Sequence, residues 1–285
     1  MVSVVEYTDT RRKQMKQIIK KMTALMMLSI LLISLVSCGN RKEKQDKDKS
    51  LDKVMDSKKL VLGLDVEFPP MGYYDENGEI VGFDIDVAQE VCNRLGIELV
   101  KKPIDWSKKE EDLNNGEIDC IWSGMSVTDE RIETMCLSEP YMKNEFIFLL
   151  LGESTVAELN DLKGTVVGVQ VGSTAHDALM ASELSEEIDM RLFDDNVELL
   201  EKLKQGELDA ALVDSVVAYH FVNSQKESYF ILPDSFGEDE YAIGFRKEDQ
   251  ALRDKVQQVL GEMKADGTLA EISIKWFGSD ITTIR

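Results

Sequence analysis

The sequence predicts an α/β fold built as two similar lobes, and two internal echoes carry that prediction. Leu113-Asn-Asn-Gly116-Glu117-Ile118-Asp119 recurs as Leu203-Lys-Gln-Gly206-Glu207-Leu208-Asp209. Each copy closes an amphipathic helix with glycine and opens an apolar strand. Upstream, Gly63-Leu64-Asp65-Val66 is answered by Gly168-Val169-Gln170-Val171, and polar residues follow each strand. Two lobes of mixed, mostly parallel sheet flanked by helices, joined by two hinge crossings, would place a cleft between strand carboxyl ends, where open parallel sheets bind ligands.

At 285 residues and 43% hydrophobic content, the chain is large enough for one big core or two modest ones. A formal charge of −21 with no basic stripe excludes nucleic acid as a partner.

The first 37 residues stand apart. Arg11, Arg12, Lys13, Lys16, Lys20 and Lys21 precede an apolar run over 24–36, followed by Ser37-Cys38-Gly39. That layout predicts a secretory signal peptide over 1–37. The alternative, a membrane anchor helix, is short of the roughly 20 apolar residues a span needs. Leu35-Val36-Ser37-Cys38 resembles the bacterial lipobox, which implies lipidation of Cys38. Residues 38–56, rich in Lys, Asp, Glu, Gln and Ser, are expected to be a solvated tether. Cys92, Cys120 and Cys136 remain as small core hydrophobes with no disulfide predicted. With only His176 and His220 present, a metal cluster or histidine triad has little to draw on.

In the first lobe, 59–65 reads as a strand, and Glu67-Phe68-Pro69-Pro70-Met71 leaves it as a non-helical turn. Asp75-Glu76-Asn77-Gly78 is a hairpin signal. A helix over 85–95 starts at Asp84 or Asp86 and stops at Gly96, and 97–101 is the next strand. Trp106 falls in a loop, packed beneath it or poised over a ligand. The stretch Gly116 to Arg131 gives a strand over 118–122, a turn of small and hydroxyl residues, and a helix starting at Thr128 with an arginine one turn in. That is a carboxylate cradle in outline; it is equally how an ordinary capped helix with a solvated Arg131 begins.

In the second lobe, 145–151 leaves as a long strand and 241–246 carries the chain back. Between them run a strand over 165–170, a helix from Thr174, a strand over 190–193, a helix over 197–205, and a strand over 210–213 entering Asp214. Helices over 251–265 and 268–277 follow. The predicted lobes are 57–145 with 242–285, and 146–241.

Gly78-Glu-Ile-Val-Gly82-Phe83-Asp84-Ile85-Asp86, Ser123-Gly-Met-Ser126-Val-Thr128-Asp-Glu-Arg131 and Ser138-Glu-Pro140-Tyr141 together resemble the extracellular solute-binding proteins of polar amino-acid ABC transporters. The resemblance runs from about Leu60 to Ile281; Cys136 and Leu137 depart from it in a way that touches packing only. It implies the type II periplasmic-binding-protein-like fold. It also implies that Arg131 grips a ligand α-carboxylate, aided by Gly124, Ser126 and Thr174, that Asp214 receives the α-ammonium, and that Ser123 and Ser173 belong to the same ligand-binding set. Both Thr174 and Asp214 have a plainer reading as helix caps. Asp65, Phe68, Trp106 and Met125 would wall the ligand side chain, with Glu67 nearby; two carboxylates there favour a polar or cationic side chain.

The reading is a lipid-anchored, extracellular, monomeric receptor without cofactor. It closes on an amino acid by hinge motion and passes it to the ABC permease subunits. The rival is a secreted dehydratase-like enzyme, for which Glu67 is the candidate acid. A third class is the sensor module of a receptor or ion channel, of which this chain would be a detached partner.

Overall fold

The computed structural model describes Met15, residues 48–224 and residues 228–284. Apart from Met15, the expected signal peptide lies outside the described residues, as does Cys38 with its expected lipid. The tether expected over 38–56 gives way to ordered structure at its end, where Ser50–Ser57 is a helix, α1. Leu51, Val54 and Met55 lie on one helical stripe that the polar composition concealed, and Val54 is only 1% exposed. Ser50 Oγ accepts from the Leu252 amide at 3.1 Å, so the helix is tied to the folded body.

From there the chain builds β1 (Lys59–Leu64), β2 (Glu67–Phe68), β3 (Gly72–Tyr74), β4 (Ile80–Val81), α2 (Phe83–Leu95) and β5 (Glu98–Pro103). A 3-10 turn (Trp106–Lys108) leads into α3 (Lys109–Asn114), β6 (Cys120–Ile121), α4 (Asp129–Thr134) and β7 (Met135–Leu137). The long β8 (Met142–Leu151) follows, then β9 (Val166–Gln170), α5 (Thr174–Ala181), β10 (Asp189–Phe193), α6 (Asn196–Lys204), β11 (Ala210–Asp214) and α7 (Ser215–Ser224). The return comprises β12 (Tyr229–Ile231), β13 (Gly237–Tyr241), β14 (Gly244–Arg246), α8 (Gln250–Asp266) and α9 (Thr268–Phe277).

Two mixed sheets result. The first has the order β5-β1-β6-β14-β7 and the second β10-β9-β11-β8-β12, with β13 also on β8. Pairing is parallel along β5-β1-β6 and β10-β9-β11, and antiparallel where the returning strands join. A small antiparallel sheet, β2-β3-β4, carries the hairpin turn.

The sequence repeat is a structural repeat in hydrogen-bond detail. Gly116 and Gly206 adopt φ of 77° and 73°, the left-handed geometry that lets a helix end abruptly. In each copy the following glutamate amide returns to the helix, Glu117 to the Asp112 carbonyl and Glu207 to the Lys202 carbonyl. The aspartate that follows then braces the first strand of its own repeat, β1 or β9. Asp119 Oδ2 accepts from the Val61 amide at 3.0 Å, and Asp209 Oδ2 from the Val166 amide at 2.8 Å.

The chain changes sheet twice, between β7 and β8 and between β13 and β14. The return expected as one strand over 241–246 is broken at Ala242–Ile243, because its halves pair in different sheets. β8 already belongs to the second sheet from Met142, a few residues before the expected boundary. Here β8 and β13 form an antiparallel ribbon that pairs Met142 with Tyr241 and Asn144 with Asp239. Cys92 and Cys120 are buried and Cys136 half-buried, all unpaired. No helix among the described residues is long and apolar enough to cross a membrane.

Candidate functional site

Ten of the eleven ligand-site residues expected from sequence line one pocket between the strand ends of the two sheets. From the first sheet and its connections come Asp65 after β1, Trp106, and the turn Ser123, Gly124 and Ser126 after β6, with Arg131 on α4, and from the small sheet Phe68 on β2. From the second come Ser173, Thr174 and Asp214. Met125 is the exception. It packs with Leu113, Ile118, Ile121 and Met135 on the far side of the turn, so close under β14 that a Cβ on Gly244 would sit 2.6 Å from its Cε. Successive turn residues point opposite ways, and the apolar one took the core.

Arg131 is 8% exposed, so the solvated reading does not hold. Thr128 caps α4, its hydroxyl accepting from the Arg131 amide at 3.1 Å. The guanidinium donates from Nη1 to the Ser126 carbonyl at 2.8 Å and to Thr174 Oγ1 at 3.4 Å, joining the two sheets. Burial lowers its pKa, yet an arginine so placed stays charged. The cap of α5 is Ser173, whose hydroxyl accepts from the His176 amide at 3.1 Å and donates to the Gln170 carbonyl at 2.8 Å. Thr174, relieved of capping, opens the first turn of α5, where backbone amides favour an anion. One end of the pocket is therefore cationic.

The opposite charge lies at the end of β11. Asp214 is half-buried, and its Oδ1 accepts from Tyr241 OH at 2.8 Å and from Asn144 Nδ2. Burial and the neighbouring Asp239 carboxylate push its pKa up to about 7. A cation brought there would be welcomed.

A third corner is also acidic. Asp65 is 9% exposed, and its Oδ1 accepts from the Glu67 amide at 2.8 Å. Its Oδ2 accepts from Gln170 Nε2 at 3.0 Å, across the cleft. Burial raises its pKa, opposed by those two bonds, and Asp195 and Asp105 add to the rise. Asp65 forms no salt bridge among the described residues. Ser123 supports it rather than facing the pocket centre, its hydroxyl accepting from the Asp65 amide at 3.2 Å. Glu67 is half-buried and outside the pocket lining.

Phe68 and Trp106 supply apolar walls. Lys109 steadies Trp106, with Nζ 4.8 Å from the ring centroid and 3.2 Å from the Trp106 carbonyl. Gly124 has φ +54° and donates its amide to Asp84 Oδ2 at 2.8 Å, while a Cβ there would lie 2.5 Å from Phe68 Cε1. Asp84, fully buried, also accepts from Tyr141 OH at 3.0 Å, and burial lifts its pKa to about 7. It is a buttress for the turn, not a pocket residue.

Sequence reasoning missed Gln170, Phe146 and Ala175, which also line the pocket. Gln170 was within reach, since it holds in the second repeat the place that Asp65 holds in the first. Asn196 Nδ2 donates to its Oε1 at 2.8 Å and thereby aims its amide at Asp65.

The comparisons with known proteins agree with this geometry. The family model for bacterial extracellular solute-binding proteins, family 3, matches residues 60–279. The chain is 30% identical over 258 residues to the L-cystine-binding protein TcyJ of Escherichia coli (strain K12), covering 90% of this chain and 96% of that protein. It is 30% identical over 262 residues to the arginine-binding extracellular protein ArtP of Bacillus subtilis (strain 168), covering 90% and 98%. A crystal structure of an ABC uptake transporter substrate-binding protein from Streptococcus pneumoniae with bound histidine superposes with a TM-score of 0.80 at 33% identity, covering 84% of this chain and all of that one. A repeated α/β architecture, a pocket between its two sheets and a match over most of the length lead to one assignment: the chain belongs to the bacterial extracellular solute-binding proteins, family 3.

Proposed function

We propose that the protein is the receptor of an ABC importer, and that it captures a free L-amino acid with a cationic side chain for delivery to the membrane permease. The observation that carries this is the charge layout of a single pocket. Arg131 and the start of α5 stand at one corner, Asp214 at a second and Asp65 at a third. The α-carboxylate goes to Arg131, Thr174 and the α5 amides, and the α-ammonium to Asp214. Each charge-assisted hydrogen bond contributes on the order of 1.5–3 kcal/mol in such a site. The side chain then points at Asp65, a buried carboxylate whose neighbours are a glutamine and further acids.

That corner distinguishes ligand classes. A glutamate side chain would meet Asp65 and the fields of Asp105 and Asp195, all of one sign. A guanidinium or ammonium would be neutralised there. Relatives named for cystine and for arginine are equally similar by identity, so identity does not choose between these ligands.

The protein acts without catalysis. The carboxylate a dehydratase would need, Glu67, lies outside the pocket lining. On this reading the signal peptide is removed, Cys38 carries lipid, and the monomeric receptor works at the outer face of the cytoplasmic membrane.

The experiment is a thermal-shift screen followed by calorimetry with L-arginine, L-lysine, L-ornithine, L-histidine, L-glutamine, L-glutamate and L-cystine. A ligand at a hundred times its Kd stabilises by about 2.7 kcal/mol. Stabilisation by the cationic set supports the proposal. Stabilisation by glutamate or cystine alone overturns the cationic class, and silence from all seven overturns the receptor reading.

A further inference from the structure

The hinge ribbon carries two buried polar side chains that neither packing nor pairing requires. Asn144 on β8 and Asp239 on β13 face each other in register, 3% and 9% exposed. Both amide hydrogens of Asn144 are committed: Nδ2 donates to Asp214 Oδ1 and to Asp239 Oδ2, the latter at 3.1 Å. Its Oδ1 accepts from Ser215 Oγ at 3.1 Å, which fixes the orientation of the amide. Asp239 Oδ2 accepts in addition from Ser126 Oγ at 2.8 Å. Ser126 is the residue whose carbonyl holds Arg131.

A continuous chain of hydrogen bonds therefore runs from Asp214, through Asn144 and Asp239 on the two crossing strands, to the turn that holds Arg131. We infer that Asn144 and Asp239 are positioning residues that aim Asp214 at the ligand ammonium and couple that contact to the hinge. This inference rests on the proposed amino-acid reading of the pocket.

The physical argument concerns one oxygen. Asn144 and Tyr241 both donate to Asp214 Oδ1, one from each hinge strand, so that oxygen is held from both sides and Oδ2 is the one left for an ammonium. Preset geometry of this kind raises affinity by removing the ordering cost at the moment of binding. Asp239 adds a second negative charge behind Asp214, and neither makes a salt bridge among the described residues. Arg131 is the cation that acts on Asp239, and Tyr241 and Tyr141 are the nearby phenols. Two carboxylates linked through one amide, with no paired cation, attract a small ammonium more strongly than either alone.

The test compares each amino acid with its α-deaminated analogue, because only the former has the ammonium. Calorimetry on wild type and Asn144→Ala would use L-arginine against 5-guanidinopentanoate and L-glutamine against 4-carbamoylbutanoate. The expected result is a loss of tenfold or more for the amino acid that wild type binds and less than twofold for its analogue. Equal losses for the two partners would mean a merely structural role and overturn the inference, as would no loss. Asp239→Asn keeps the shape and an acceptor for Ser126; it should lower amino-acid affinity about threefold or more and leave the analogue alone, and it decides the matter if Asn144→Ala fails to fold. Should the screen single out another amino acid, that one and its α-deaminated analogue form the test pair; if wild type binds none of the seven, the amino-acid reading itself fails and takes this inference with it.

Discussion

Asp65 and Gln170 hold equivalent places in the two repeated halves, and they meet across the cleft, Gln170 Nε2 donating to Asp65 Oδ2 at 3.0 Å. Each follows the same Gly-x step at the end of its strand, so the pseudo-symmetry of the chain brings one acceptor and one donor to a common point. The pairing satisfies part of the buried carboxylate but leaves its charge uncompensated.

That uncompensated charge yields the first prediction. Asp65→Asn should cost about tenfold or more in L-arginine affinity and leave L-glutamine binding unchanged or improved, because only the cationic side chain uses the charge. Competition calorimetry with both amino acids reads the ratio. An unchanged arginine-to-glutamine ratio would remove Asp65 from the side-chain corner.

Arg131→Ala tests the other end. Losing the fork that meets the α-carboxylate should weaken binding of every amino acid at least a hundredfold. Stability of the unliganded protein should move by about 1 kcal/mol or less, since deleting a buried cation also removes its desolvation cost. Thermal melts of the unliganded variant check the second half, and near wild-type affinity would refute the first.

Much of this site was legible because it sits on punctuation. Strand ends, caps and turns carry Asp65, Thr128, Ser173 and Asp214, and the repeat at Gly116 and Gly206 reports strand order directly. Three things were not legible. Met125 and Ser126 are adjacent, and which of them faces the pocket depends on the twist of one turn. The helix α1 looked like tether because three apolar residues among charges are too few to register as composition, though they are enough to cover α8. Asn144, Asp239 and Tyr241 lie on strands whose pairing partners are far away in sequence, and a buried polar side chain there is indistinguishable from a solvent-facing one until the register is known.

Gly124 supports a third prediction. Its φ of +54° and the 2.5 Å approach of a built Cβ to Phe68 Cε1 leave no room for a side chain. Gly124→Ala should destabilise the fold by about 1–3 kcal/mol through strain and overpacking. It should also weaken ligand binding, because Phe68 must swing into the pocket. Melting and calorimetry on one preparation measure both, and a variant as stable as wild type would show that the turn relaxes freely.

The last prediction concerns pH. The pKa of Asp214 is pushed up to about 7 in the folded protein, first by burial and then by Asp239, against an ordinary value of 3.8. A raised acid pKa means that the folded state holds its proton more tightly than the unfolded chain. The contribution of this group to stability is therefore complete below about pH 4 and is lost as pH rises through 7, so the unliganded protein should soften in that window. Binding has the opposite sign. The ammonium needs the ionised carboxylate, so below pH 7 it must displace a proton, and affinity should fall by up to tenfold per pH unit. Calorimetry with L-arginine between pH 5.5 and 8 should show affinity rising to a plateau above 7. In buffers of differing ionisation enthalpy at pH 6.5, the observed heats should reveal net proton release. In Asp214→Asn the residual affinity should be weak and flat across the range. Proton uptake on binding, or an unchanged pH profile in that variant, would show that Asp214 does not face the ammonium.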